Sequence, residues 1–319
     1  QNIYPNNFET KIGFDRIREM LHNKCLSSIG KEWVDEIKFQ QNFDSISTQL
    51  GEVDEFCRIV REYDSFPSSH FYDLRSALQK IRLEGRFLEA SELFDLKRSL
   101  ESVRGIVNFF AKQEEEVFPI LKKKTAHVQV FPYIYDRIDG IVNKFGKIRD
   151  NASSELAQIR KDILTRQSNM SKRLHAILKQ AKKDGLVDDE ASVSIRDGRA
   201  VIPIAAGNKR KLKGIIYDES STGKTSYVEP NEIVEMNNEI RELEYAERRE
   251  VVKILTGFSN DIRPYLNDLF YSYNFLGEID FIRAKALLAI EFDAIKPEMK
   301  NEPLIDWQKA IHPLLMQTL

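Results

Sequence analysis

The run DESSTGKTS, residues 218–226, holds the residue types of a phosphate-binding loop. In Gly223-Lys224-Thr225 the glycine would open the turn, the lysine would reach a terminal phosphate and the hydroxyl would sit on its metal ion. The spacing argues otherwise. A phosphate loop reads Gly-x-x-x-x-Gly-Lys-Ser/Thr, because the first glycine lets backbone N–H groups close around the anion. Asp218 stands where that first glycine is required. Such a loop also opens a helix, whereas Thr225 begins a short, half-polar, strand-like run, TSYVEP. The sequence therefore predicts a β-turn here, with Lys224 facing solvent.

A second chemistry is carried by charge. GNKRKLKG, residues 207–214, places Lys209, Arg210, Lys211 and Lys213 in one predicted loop, and Arg196, Arg199 and Lys224 lie at or near predicted turns. Asp197, Asp218, Glu219 and Glu229 are the acids that offset them between residues 191 and 230. A basic loop of this kind suits contacts to a phosphate backbone, which need charge but no reading of bases. It equally suits a solvated loop whose charge protects strand edges. Composition alone leaves the two readings balanced. No aromatic cluster accompanies the cations, so stacking on single strands is not indicated.

Other candidates reduce to structure. Phe87-Leu88-Glu89 matches a Phe-x-Glu pattern used by some mismatch readers, but it precedes a helix in RFLEASEL and reads as core. His312-Pro313 has no Cys, Asp or second His at ligand spacing, and no HExxH occurs. Cys25 and Cys57 form no CxxC and read as reduced thiols on helices. No catalytic, cofactor-binding or metal residue is predicted in this chain.

The elements that position the basic loop follow from periodicity. The chain has 319 residues, 42% hydrophobic and 31% charged, with a net charge of -2, so any nucleic-acid contact must be a local patch. No apolar run approaches the roughly 18 residues of a membrane span, and the N-terminus lacks an apolar signal core, so a cytoplasmic protein with no membrane partner is expected. With 14 Gly and 10 Pro, most of the chain is expected to be helix. Residues 14–37, 45–63 and 91–113 space their apolar residues by three and four, each giving one buried face.

Residues 153–184 predict one helix of about 30 residues, roughly 45 Å long. Leu156, Ile163, Met170 and Ile177 recur every seven residues, and Ser153 is placed to cap it. Residues 231–258 answer with Ile233, Ile240 and Ile254 in one phase. The first arm is basic and the second acidic, which predicts an antiparallel coiled coil within one chain. Between the arms, SVSIRDGRAVIPI has Asp197-Gly198 at the centre of a hairpin, and GIIYDES with TSYVEP forms a second.

These segments also carry a resemblance. Residues 149–156 read RDNASSEL, followed by VSIRDGRAVIPI, GIIYDESSTGKTSYVEP and NNEIRELE, with EIDFIRAKA and AIHPLL further on. The chain resembles the lever and clamp of a bacterial MutS paralogue, of the branch that lacks a mismatch-reading domain and suppresses recombination. Tyr217, Thr222, Lys224 and Ile311 depart from that branch's pattern. The resemblance implies a mainly α fold. It gives a helical core and lever at 1–150, an ascending stalk helix at 151–184 and a β-rich clamp at 185–230. A descending stalk helix at 231–258 and returning lever helices at 259–300 follow, and 301–319 begins the connection to an ATPase domain. The implied function is to embrace duplex or branched DNA in control of recombination and repair, as a homodimer in the full-length protein. Arm motion would be coupled to ATP and Mg bound in the absent ATPase domain, and nuclease activity would lie in a C-terminal Smr domain. Lys209, Arg210, Lys211 and Lys213, then Arg196, Arg199 and Lys224, would be the phosphate contacts. A clamp on ribosomal RNA in collided-ribosome rescue, or a purely structural dimerisation stalk, are the alternatives. The start at Gln1 and the end before any Walker motif are read as an excised piece, so no enzyme activity is expected within it.

Overall fold

A computed structural model describes residues 5–316. Helices α1 (Phe8–Ile12), α2 (Phe14–Lys24), α3 (Ser28–Asp35), α4 (Phe43–Glu62), α5 (Arg75–Lys80), α6 (Ala90–Ala111), α7 (Pro119–Thr125) and α8 (Pro132–Ile141) come first. The long helix α9 (Ser154–Lys183) then leads to strands β1 (Ser194–Arg196), β2 (Arg199–Ala205), β3 (Gly214–Glu219) and β4 (Thr225–Pro230). Helices α10 (Asn231–Ile262), α11 (Leu266–Glu291) and α12 (Pro313–Met316) complete the chain. The fold is mainly α with one small antiparallel sheet inserted between two long helices. The chain forms two compact units, one from residues 1–147 and 256–319, the other from 148–255.

In the helical unit α11 is the central element. FLGEIDFIRAKALLAIE is apolar around most of its circumference, and such a helix is stable only when surrounded. Leu276, Ile279 and Ile282 pack with Phe56 and Ile59 of α4, Val103, Ile106 and Phe110 of α6, Phe118 just before α7, and Leu121 of α7. Helix α3 approaches so closely that a Cβ on Gly277 would fall 2.2 Å from Ile29 Cγ2.

The single helix that periodicity predicts over 14–37 is in fact two, broken at Cys25–Ser27. Ser27 caps α3 by accepting from the Gly30 N–H at 2.9 Å. The carboxylate of Asp280 on α11 accepts from the Leu26 N–H, from the Ser27 N–H and from the Ser27 hydroxyl, at 2.9, 2.8 and 2.8 Å. A helix break normally strands buried donors. Here a carboxylate 253 residues away in sequence satisfies them, which no local pattern can foretell. Phe87-Leu88-Glu89 is likewise structural: Leu88 is fully buried, and Glu89 starts α6 in a capping box with Glu92.

In the second unit Ser153 caps α9, its hydroxyl accepting from the Leu156 N–H at 3.0 Å. Arg160 meets Glu247 and Arg166 meets Glu239, each at 2.7 Å. Arg173 pairs with Glu232. As the number rises on α9 it falls on α10, so the helices run antiparallel, with the basic and acidic arms matched as their sequences predict. The apolar seam of α9 differs from a strict heptad. Leu156 and Ile163 are buried, but the seam then passes to Leu174, Leu178 and Ala181, leaving Met170 and Ile177 half-buried. An eleven-residue step keeps phase with a nearly straight helix, whereas a seven-residue step drifts around it. The shifted end of the seam packs with Ile202 and Ile204 of β2, Val228 of β4 and Ile233 of α10.

The strands form one sheet in the order β1-β2-β4-β3. Each predicted hairpin is present, and β2 and β4 join them, pairing Ile202 with Val228 and Ile204 with Ser226. Asp197 and Gly198 have φ of 49° and 76°, the two positive values that a type I′ turn needs.

Candidate nucleic-acid interface

The phosphate-loop mimic is closed by its own hydrogen bonds. The Gly223 N–H donates to Ser220 O at 2.7 Å, the Ser220 N–H to Thr225 O at 2.8 Å and the Thr225 N–H to Ser220 Oγ at 3.1 Å. A phosphate nest needs consecutive amides pointing at an open space. Here the amides of Ser220, Gly223 and Thr225 are spent holding the β3–β4 turn, with Gly223 at φ 67° supplying its left-handed residue. Lys224 is exposed.

The predicted cations separate into two groups. The first lies in the 206–213 loop and the β3–β4 turn. The Ala206 N–H donates to Lys224 O at 2.9 Å, which ties the loop to the turn at one end of the sheet, and the Asn231 N–H donates to Lys213 O at 3.1 Å at the other. The loop thus links β2 to β3 across β4, from one end of that strand to the other. Arg210, Lys211, Lys213 and Lys224 are exposed and make no ion pair among the described residues. Lys209 differs, because its Nζ lies 2.8 Å from Glu219 Oε1. That hydrogen bond holds the Glu219 carboxyl below its usual range.

The second group is on the sheet itself. Arg196 and Arg199 are cross-strand partners and share a face. Tyr227, opposite Pro203, belongs to that face too. The guanidinium of Arg196 lies 4.2 Å from the centre of the Tyr227 ring, and that of Arg199 lies 5.1 Å from the centre of Tyr217. Charge and spacing do not single out these tyrosines. The available signal is one tyrosine in each of two runs predicted to pair, GIIYDES and TSYVEP.

The two arginines are placed differently. Arg196 keeps 43% of its side chain exposed and sits 3.9 Å from Asp218, so it can face a ligand. Arg199 keeps 15%, and its guanidinium bonds the fully buried Glu229 carboxylate at 3.0 Å. Asn237 donates to the same carboxylate at 2.6 Å. Arg199 is thereby turned into the protein. Among the described residues no helix is long and apolar enough to cross a membrane, and no three His, Cys, Asp or Glu side chains are grouped as metal ligands.

Over 302 residues, 95% of its length, the chain is 32% identical to the endonuclease MutS2 of Symbiobacterium thermophilum. The chain is similar to MutS2 proteins. The proteins of that name from Alkaliphilus oremlandii and Pelotomaculum thermopropionicum are each 30% identical, over 95% and 96% of this chain. It spans 38% of the length of each of these curated MutS2 relatives. No family model matches the chain.

Proposed function

We propose that this chain is the lever-and-clamp region of a MutS-family protein of the recombination-suppressing branch, and that the 206–213 loop and the β3–β4 turn of its second unit rest on the phosphate backbone of duplex or branched DNA. The observation that carries the reading is that Arg210, Lys211, Lys213 and Lys224, on a loop and a turn joined by the Ala206–Lys224 hydrogen bond, are exposed and unpaired among the described residues. Exposed cations without partners repel one another and are stabilised by a polyanion. Arg196, prepositioned on Tyr227, adds a planar guanidinium suited to a phosphate oxygen. Arg199 is withdrawn from the contact set, since its charge is neutralised by Glu229.

No catalysis is assigned to these residues. In the longer protein we place two such clamps around one duplex in a cytoplasmic homodimer. Binding of ATP with Mg would use other residues and be coupled to movement of the α9–α10 arm. Strand cleavage is likewise assigned elsewhere.

The test is binding of duplex and four-way-junction DNA by fluorescence anisotropy between about 50 and 200 mM salt, with the full-length protein and this chain. The quadruple change of Arg210, Lys211, Lys213 and Lys224 to Ala is expected to weaken binding and to flatten the log–log salt slope by about 0.9 for each phosphate no longer neutralised. An unchanged slope with unchanged affinity would sink the reading.

A further inference from the structure

We propose that a cleft in the helical unit is a binding site for a small planar anion, with Lys285 as the counter-charge and Trp33 and Phe281 as the flat wall. The cleft has a volume of about 820 Å³ and is walled by α2, α3, the 36–42 segment, α4, α7 and α11. That lies within the roughly 300–1,000 Å³ of small-molecule sites, which combine apolar walls with a few convergent polar groups.

The cleft is lined by three acids, Glu36, Glu52 and Glu278, and three bases, Lys38, Lys124 and Lys285, and what matters is which of them are already paired. Glu52 on α4 and Glu278 on α11 are both engaged by Lys124 of α7, the first at 3.0 Å and the second by a direct hydrogen bond. Lys285, about two turns beyond Glu278 on α11, makes no hydrogen bond or ion pair among the described residues. Its ammonium lies 4.2 Å from the centre of the Phe281 ring. Burial pushes this amine down to about 8, partly offset by the fields of Glu52 and Glu278. It is therefore still mostly protonated at neutral pH, a shielded cation set against an aromatic ring. Glu52 and Glu278 are both held by Lys124, so Lys285 has no direct partner of its own, and an incoming anion would supply one.

The wall selects shape. The rings of Trp33 and Phe281 stack at 6.2 Å between centroids and 19° between planes. Trp33 is only half-buried, which leaves indole surface toward the cleft for a ring to lie against. The favoured ligand is an aromatic or heteroaromatic ring carrying one carboxylate, sulfonate or phosphate.

Two probes separate charge from greasiness. The aromatic monoanion 8-anilino-1-naphthalenesulfonate is titrated into the full-length protein beside N-phenyl-1-naphthylamine, the same rings without the sulfonate. The expected result is one saturable sulfonate site per chain, with the neutral probe bound at least about tenfold more weakly. Lys285→Met is expected to lower sulfonate affinity at least about tenfold without moving that of the neutral probe, and Lys285→Arg to retain it. Equal affinity of the two probes for the unaltered protein overturns the proposal, and that comparison stands even if the variants fold poorly. An unchanged sulfonate affinity in folded Lys285→Met overturns it as well.

Discussion

Arg199 and Glu229 form an ion pair at 3.0 Å in which the carboxylate has no solvent exposure and Asn237 donates to it from α10. The pair binds the start of β2 to the end of β4, and β4 leads directly into α10. Removing one partner of a buried pair leaves the other charge uncompensated, at a cost of about 3–5 kcal/mol. Arg199→Ala is therefore expected to destabilise the second unit by about that amount, and the double change with Glu229→Gln to recover much of it. Urea denaturation of the single and double variants measures both. A DNA-binding defect in Arg199→Ala without loss of stability would show that the residue faces the ligand after all.

Lys209 and Lys211 lie two residues apart in one loop, yet Lys209 is engaged by Glu219 and Lys211 is not. A cation already paired releases fewer counter-ions when it meets a phosphate. Lys211→Ala is expected to lower the salt slope of DNA binding by about 0.9 and Lys209→Ala by clearly less. Equal slopes for the two variants would remove the distinction drawn between them.

The amine of Lys285 is held at about 8, against its ordinary 10.5. The unfolded chain therefore binds that proton more tightly than the folded one. The penalty is fully present below about pH 8 and disappears as the pH rises from about 8 to 10.5. Lys285→Met should raise stability at pH 7 by about 1–3 kcal/mol, the lower part of that range applying because the side chain keeps some contact with water. The gain should shrink toward pH 10.5. Urea midpoints of both proteins at pH 7 and pH 10 test the sign.

Gly277 and Ile29 mark a close approach of α11 to α3. Gly277→Ala brings a carbon to 2.2 Å from Ile29 Cγ2, an overlap that must displace α3 or α11. The expected loss is about 1–3 kcal/mol. Gly207→Ala is the control: nothing lies within 4 Å of a Cβ there, and the effect should stay within about 0.5 kcal/mol. Thermal unfolding of the two variants decides.

The sequence by itself determined the long helices, their antiparallel matching and the two hairpins, because each rests on short-range physics. Helix periodicity, the Ser153 cap, the arm charges and Asp197-Gly198 are all readable within a few residues of chain. It also excluded a phosphate loop at Gly223-Lys224-Thr225, since the missing glycine at 218 is a local fact. Tertiary structure decided what depends on partners distant in sequence. Asp280 satisfies the donors that break 14–37 into two helices. The eleven-residue step on α9 follows the sheet packed against it rather than the heptad written in its own residues. Arg199 and Arg210 look alike in sequence, yet one is paired inside and the other stands exposed on the 206–213 loop, because only the folded strands bring Glu229 to the first. Side-chain availability is set by what a residue meets across the fold, and residue type and spacing do not contain it.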